Sequence, residues 1–321
     1  MRCHSTLVFF AAISIAVPTE LAAGTVIRIA SWNIANFHHE VGIELREGIG
    51  TRRKETDFLT LKRYADSLNA DIVALQEIGT KEAAELLFPS SKFEVFMESR
   101  YAEDIQNGPS KDVYTAVAVR KRSDTRVLEQ KDLVDLQLEE IDDDGQNHYT
   151  RRGAALKLEV SGTPLWFVSL HLKSSCSSTK RADQSTDSDC MLFWQQRLPL
   201  KAFIDQRIAD GTVFIFAGDF NRRFRQFQFQ DPMWAYLNGE NLERPLLTAH
   251  PEAETRKCPT KKGASTQPID WLVVDARVSR WVRPESYWET RYSFEDAEAA
   301  GGTSSDRLSD HCPIRIDLVV Q

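Results

Sequence analysis

Short apolar runs in this chain repeatedly stop at a polar side chain, and this pattern limits the possible folds more than any other feature. Val26 to Trp32 runs into Asn33, and Asp71 to Leu75 runs into Gln76-Glu77. Leu165 to Leu170 stops at His171, and Val213 to Ala217 stops at Gly218-Asp219-Phe220-Asn221. Ile269-Asp270 opens another run, and Ser309-Asp310-His311 precedes the run from Pro313 to Val319. Apolar runs this short, bounded by turn residues, read as buried strands. A carboxylate at the end of a buried strand is costly unless it meets a metal ion or a hydrogen-bond partner. One such residue is explained as a cap or an internal ion pair. A set of the same character in one chain points instead to a shared cleft at the strand ends.

Amphipathic segments alternate with these runs. The spacing predicts a helix over Arg53 to Asn69, with Phe58, Leu61, Ala65 and Leu68 on one face, and a second over Lys81 to Leu87. A long helix is predicted from Cys190 to Ala209, bent at Pro199. From Phe93 onward strands dominate: Phe93 to Met97, Tyr114 to Val119, Thr125 to Leu133 and Gly153 to Val160. The acidic stretch Glu139 to Asp144 reads as a solvated hairpin connection, and its spacing is not that of an EF-hand loop. With 321 residues, 42% of them hydrophobic, a large core is available, and no repeat or linker divides the chain. Hairpins beside strand–helix units imply sheets packed on each other and covered by helices, in one α/β (α+β) domain over residues 24–321.

Residues 1–23 are set apart from that domain. Arg2 and His4 precede an apolar run from Leu7 to Val17, and Ala22, Ala23 and Gly24 follow. The run is too short to span a bilayer, and the pattern is that of a secretory signal peptide. The expected product is a secreted or periplasmic protein with no stable membrane association, expected to be monomeric. Four cysteines lie beyond that segment: Cys176, Cys190, Cys258 and Cys312. In an exported chain they suggest disulfides. Cys176 with Cys190 is the favoured pair, because it would close a Ser/Thr/Asp-rich loop and contribute about 3 kcal/mol. Cys258 and Cys312 are left either paired or free. No CxxC motif supports a zinc site.

The residue types at the strand ends suit one chemistry. Oxygen ligands from Glu77, Asp310 and the Asn33 amide fit a hard divalent cation, Mg²⁺ first, with Ca²⁺ or Mn²⁺ possible. His171 and His311 suit phosphate oxygens and proton transfer near neutral pH, while Asp219 and Asn221 can orient a water and a phosphate oxygen. A Gly-x-Ser-x-Gly elbow, a Walker loop and a dinucleotide fingerprint are all missing. The net charge of −7 excludes a globally basic nucleic-acid coat, so an anionic substrate needs a local positive field or a metal. Metal-assisted phosphoester hydrolysis follows.

Trp32-Asn33, Gln76-Glu77, His171, Gly218-Asp219-Phe220-Asn221, Ile269-Asp270 and Ser309-Asp310-His311 come in an order that resembles the endonuclease/exonuclease/phosphatase superfamily, with its deoxyribonuclease I-like fold. The resemblance spans about Val26 to Val319. It implies a four-layer α/β/β/α sandwich with two mixed β-sheets. It also implies that Asn33, Glu77 and Asp310 surround the metal, and that Asp219 and Asn221 position the nucleophilic water and the phosphate. By the same resemblance His171 and His311 flank the phosphate, and Asp270 orients His311. Asp112 corresponds to an acidic residue that pairs with the first histidine, or is a solvated loop residue. Arg152 corresponds to a phosphate-contacting arginine. Gly79 departs from the pattern, since nucleases of the pancreatic type carry an arginine there.

The superfamily acts on many phosphoesters, so the fold does not choose the substrate. Arg222, Arg223 and Arg225 are interleaved with Phe224, Phe227 and Phe229; Arg52, Arg53 and Lys54 open the first helix; and Arg256, Lys257, Lys261 and Lys262 precede Asp270. Basic residues beside aromatics suit a polyanion with bases to stack on, or form a solvated positive edge. The expectation is an endonuclease acting on DNA or RNA with low sequence selectivity. The alternatives are a phosphatase or phospholipase C-type hydrolase, and a non-catalytic binding module on the same fold.

Overall fold

Alternation along the first strand, β1 (Thr25–Phe37), sends its side chains into two cores: Ile27 and Ile29 face one, and Ala30, Trp32 and Ile34 face the other. A strand buried on both faces must lie inside a layered structure. The protein is described by a computed structural model over residues 24–45, 51–108, 112–141, 147–176, 181–239, 244–250, 267–300 and 308–320. The expected signal segment, Cys258, the basic residues between 256 and 262, and the stretch Asp142 to Asp144 lie outside the described residues.

After β1 come α1 (Glu55–Leu68), β2 (Ile72–Ile78), α2 (Lys81–Leu87), β3 (Phe93–Met97), α3 (Ser99–Asp104), β4 (Tyr114–Arg120), β5 (Thr125–Gln130), β6 (Glu139–Ile141), β7 (Asn147–Tyr149), β8 (Ala154–Val160) and β9 (Thr163–His171). They are followed by α4 (Ser188–Gln195), α5 (Arg197–Ala209), β10 (Val213–Asp219), α6 (Pro232–Asn238), β11 (Leu246–Thr248), β12 (Asp270–Asp275), α7 (Ala276–Ser279), β13 (Val282–Glu289), α8 (Phe294–Ala299) and β14 (Ile314–Val320). One 6-stranded sheet has the order β13-β14-β1-β2-β4-β3, and a second has β11-β12-β10-β9-β8-β5. The two sheets pack through Ile27, Ile29, Ile72 and Ile316 on one side and Leu156, Phe167, Ile215 and Leu272 on the other. Leu61 and Leu68 of α1 and Leu87 of α2 cover the first sheet. Phe193, Leu200, Ile204 and Met233 from α4, α5 and α6 cover the second. This is the α/β/β/α sandwich that the sequence implied. Among the described residues no helix is long and apolar enough to cross a membrane.

Local sequence explains several boundaries. Asp57 accepts from the Lys54 backbone N–H at 2.7 Å and closes the start of α1, and Asn69 ends that helix in a left-handed conformation (φ 43°). The helix expected from Cys190 to Ala209 is two helices broken at Gln196. Pro199 lacks an N–H and its ring crowds the carbonyl four residues back, at Gln195, where α4 ends. Cys176 and Cys190 form a disulfide. Cys312 is also disulfide-bonded.

Candidate active site

Strand direction assembles the site. β1 runs parallel to β2, and β9 parallel to β10, so Asn33, Glu77, His171 and Asp219 arrive at the same end of the sandwich. β12 and β14 run antiparallel to their neighbours, so their beginnings, Asp270 and the segment 308–313, reach that end too. In register, Asp219 is paired with His171 on one side and with Asp270 on the other. Gly218 permits this: at φ 154° a Cβ there would sit 1.9 Å from the Leu170 carbonyl oxygen. Glu77 and Asn221 hold left-handed backbones (φ 59° and 51°), which for residues other than glycine marks strain of about 1–3 kcal/mol each.

Asp219 Oδ2 is the hub. It accepts from Asn33 Nδ2 at 3.1 Å and lies 3.7 Å from His171 Nε2 and 3.6 Å from His311 Nε2. Asn33 Nδ2 also donates to Glu77 Oε1 at 3.1 Å, so one amide joins carboxylates from the two sheets. Glu77 Oε2 accepts from the Asn36 backbone N–H at 2.9 Å. Asn221 donates its backbone N–H to Asp219 Oδ1 at 2.8 Å and its amide to the Leu172 carbonyl at 3.0 Å. Both Asp270 oxygens lie within 3.0 Å of His311 Nδ1. An ionised carboxylate only accepts, so the proton sits on Nδ1 and Nε2 faces the cleft. Burial, with Asp270 adding to it, pushes the Asp219 carboxyl up to about 7 against the opposing pull of His311. Burial alone would lower the His311 imidazole, but Asp270 and Asp219 outweigh it and hold it up at about 10.

Two groupings compare differently with a divalent ion. Ligand atoms of Asp219, Asp270 and His311 lie within 4.8 Å of one another. His311 there is a proton-bearing partner of two carboxylates, which is a relay rather than a cation cage. The Glu77 carboxylate is oriented by two N–H donors and its side chain is 20% exposed, and Asp310 is 69% exposed beside His311, with Oδ1 3.8 Å from Nε2. Hard oxygen donors open to solvent suit an ion that keeps several waters. Glu77 and Asp310 thus have the donor chemistry that a hard divalent ion takes. The Asn33 amide, expected to offer its oxygen, turns that oxygen to the Ala35 N–H at 3.0 Å and presents its nitrogen to the two carboxylates.

Three other expectations need correction. Arg152 is not held out for phosphate: its guanidinium makes two bonds to Glu103 at 2.7 and 2.9 Å and others to Gln137 and Ser99. Asp112, half-buried, takes Arg100 Nη1 at 2.7 Å, and the buried Glu98 lies 3.6 Å from Arg100. The basic, aromatic stripe after Asn221 folds partly inward, with Arg223 and Arg225 half-buried. Arg222 is fully buried against Asp231 at 2.6 Å, Phe224 is buried, and Arg225 lies over the Trp271 ring. Arg53 is buried as well.

Gln76 and Ser309 lie in the sequence motifs without a role assigned to them there, and Tyr292 carries no sequence signal of its own. Gln76 Nε2 donates to Ser169 Oγ at 3.0 Å and joins the sheets beneath the site. Tyr292 accepts from Trp32 Nε1 at 3.0 Å and donates to the His311 carbonyl at 2.8 Å. Ser309 Oγ donates to the Asn33 carbonyl at 2.7 Å and accepts from the His311 N–H at 3.0 Å.

The sequence profile of the Endonuclease/Exonuclease/phosphatase family matches residues 30–311. The chain belongs to this family. It is a phosphoester hydrolase, and the family is divalent-metal dependent. No curated protein matches the sequence. Solved structures share the fold at low identity. Truncated TDP2 of Caenorhabditis elegans has a TM-score of 0.53 at 17% identity, over 92% of this chain and 98% of that one. An endonuclease/exonuclease/phosphatase family protein of Bacteroides thetaiotaomicron has 0.55 at 13%, over 93% and 99%. The human Nocturnin catalytic domain with bound sulfate has 0.53 at 14%, over 91% and 93%.

Proposed function

We propose that this family member is an exported, Mg²⁺-dependent phosphodiesterase that hydrolyses DNA or RNA with low sequence selectivity. The observation that carries the proposal is the shared proximity of both imidazole Nε2 atoms to Asp219 Oδ2. A phosphodiester has a poor alkoxide leaving group and needs a proton delivered to it, and it also needs an oriented water. Asp219, buried and held by Asn33 and Asn221, orients that water. His311, protonated through Asp270, donates to a developing charge, and His171 lines the same hub. Asn221, anchored to the Leu172 carbonyl, contacts a phosphate oxygen. Glu77 and Asp310 would hold the divalent ion, which would supply charge neutralisation at the phosphate.

Export is supported by the signal-like segment ending near Ala23 and by the paired cysteines. A second reading, a hydrolase of small or lipid phosphoesters, is favoured by the burial of Arg222 against Asp231 and the packing of Arg225 over Trp271, which leave less of the basic stripe open to a polyanion. Purified residues 24–321 should nick plasmid DNA or cleave RNA with Mg²⁺ and stop in chelator. Cleavage of sphingomyelin or inositol phosphates, with nucleic acids untouched under any divalent ion, would refute the nuclease assignment.

A further inference from the structure

Arg53 is a buried cation that donates to four backbone carbonyls. Its Nη2 donates to Ile34 O at 2.5 Å, Ala35 O at 2.8 Å and Leu308 O at 2.9 Å, and its Nη1 donates to Asn36 O at 3.0 Å. The guanidinium lies 5.1 Å from the Phe37 ring centroid, and the residue is 3% exposed. Burial pulls its pKa down to about 10, which leaves it charged at neutral pH.

The carbonyls come from two segments that matter to the site. Residues 34–36 form an irregular turn within β1, where its register with β2 shifts, with left-handed conformations at Ala35 and Asn36 (φ 47° and 53°). This turn delivers the Ala35 N–H to Asn33 Oδ1 and the Asn36 N–H to Glu77 Oε2. It also points successive carbonyls at one place, where each needs a donor. Leu308 opens the other segment, which carries Ser309, Asp310 and His311. A planar fork with several N–H groups can meet such a cluster, and a lysine ammonium cannot match its geometry.

We propose that Arg53 is a positioning residue for the candidate metal site, its guanidinium fixing the spacing between the Asn33–Glu77 side of the cleft and the Asp310–His311 side. The proposal rests on the assignment of Glu77 and Asp310 as the ion-holding pair. Groups that orient metal ligands typically change affinity by about 10- to 100-fold when replaced. A role confined to satisfying buried carbonyls would lower stability and leave ion affinity alone.

The test uses Mn²⁺ binding to residues 24–321, read by the electron paramagnetic resonance of free Mn²⁺, with no substrate present. Wild type, Arg53→Lys and Arg53→Met are compared, each checked for folding by circular dichroism, with amide exchange followed at 33–36 and 308–311. Arg53→Met is expected to bind Mn²⁺ about tenfold or more weakly, with Arg53→Lys between it and wild type. Exchange should rise in both segments together. Unchanged affinity in the folded variants overturns the proposal, even if stability falls or exchange rises. If Arg53→Met fails to fold, Arg53→Lys decides alone, and wild-type affinity there overturns it. A wild type that binds no Mn²⁺ overturns both the ion-holding pair and the proposal. A wild type that binds Mn²⁺ but cleaves no phosphoester refutes the proposed function only.

Discussion

His311 Nδ1 lies 2.9 and 3.0 Å from the two oxygens of Asp270, joining β12 of the second sheet to the segment that enters β14 of the first. The contact fixes the imidazole tautomer and keeps its other nitrogen directed at Asp219. Because Asp270 acts through His311, Asp270→Asn should lower kcat by about 10²- to 10⁴-fold with folding retained. Steady-state kinetics beside circular dichroism would check this, and near-wild-type turnover would remove the pair from the chemistry.

The same pair sets the pH response. Activity should rise as Asp219 loses its proton near 7 and fall as His311 loses its own toward 10. Asp270→Asn removes the largest attraction holding His311 protonated, so the alkaline limb should move to lower pH. For stability the sign is that of a raised imidazole. The contribution is fully present below 6.5 and is lost as pH rises through about 10. A kcat/KM profile from pH 5 to 10.5 on both proteins would show it, and an alkaline limb unmoved by the substitution would contradict it.

Glu77 receives hydrogen bonds from Asn33 and Asn36, both neutral donors that Glu77→Gln can only partly keep. The substitution should raise the Mg²⁺ concentration for half-maximal activity at least about tenfold and lower kcat. A Mg²⁺ titration of initial rates checks it, with an unshifted midpoint counting against Glu77 as a ligand.

Gly218→Ala would place a methyl carbon on the Leu170 carbonyl, a backbone atom that has no side chain to move aside. The expected cost exceeds about 3 kcal/mol and falls on stability and on the alignment of Asp219 with His171. Urea unfolding should show the loss. A variant as stable as wild type would mean that β9 and β10 separate more easily than their register implies.

Replacing Cys176 and Cys190 together by alanine should cost about 2–4 kcal/mol. Arg222 Nη1 approaches Cys176 Sγ at 3.7 Å, one residue beyond Asn221, so a change in KM should accompany the loss of stability. Reductant added to the wild type should reproduce both effects, and no change with either treatment would contradict the assignment.

What the sequence made legible was the part that depends on strand ends. Asn33, Glu77, His171, Asp219, Asp270 and His311 each close or open a short apolar run, and parallel pairing of β1 with β2 and β9 with β10, with antiparallel β12 and β14, brings those ends together. Charge was less legible. Arg222 reads as a surface residue until Asp231, nine residues on, is known to bury with it. Arg53 and Arg152 likewise depend on partners at Leu308 and Glu103 that no local pattern announces. β13 was missed because an edge strand reading Val-Arg-Pro-Glu-Ser-Tyr-Trp-Glu has no apolar run, and Tyr292 was missed because its role depends on reaching Trp32 and His311 at once.

The insertion of β14 between β13 and β1 has a consequence for synthesis. Asn33, Glu77, His171 and Asp219 all precede β14 in the chain, and His311 reaches Asp270 just ahead of that last strand. The His311–Asp270 pair therefore belongs to the completed first sheet and to no chain stopped short of its last strand.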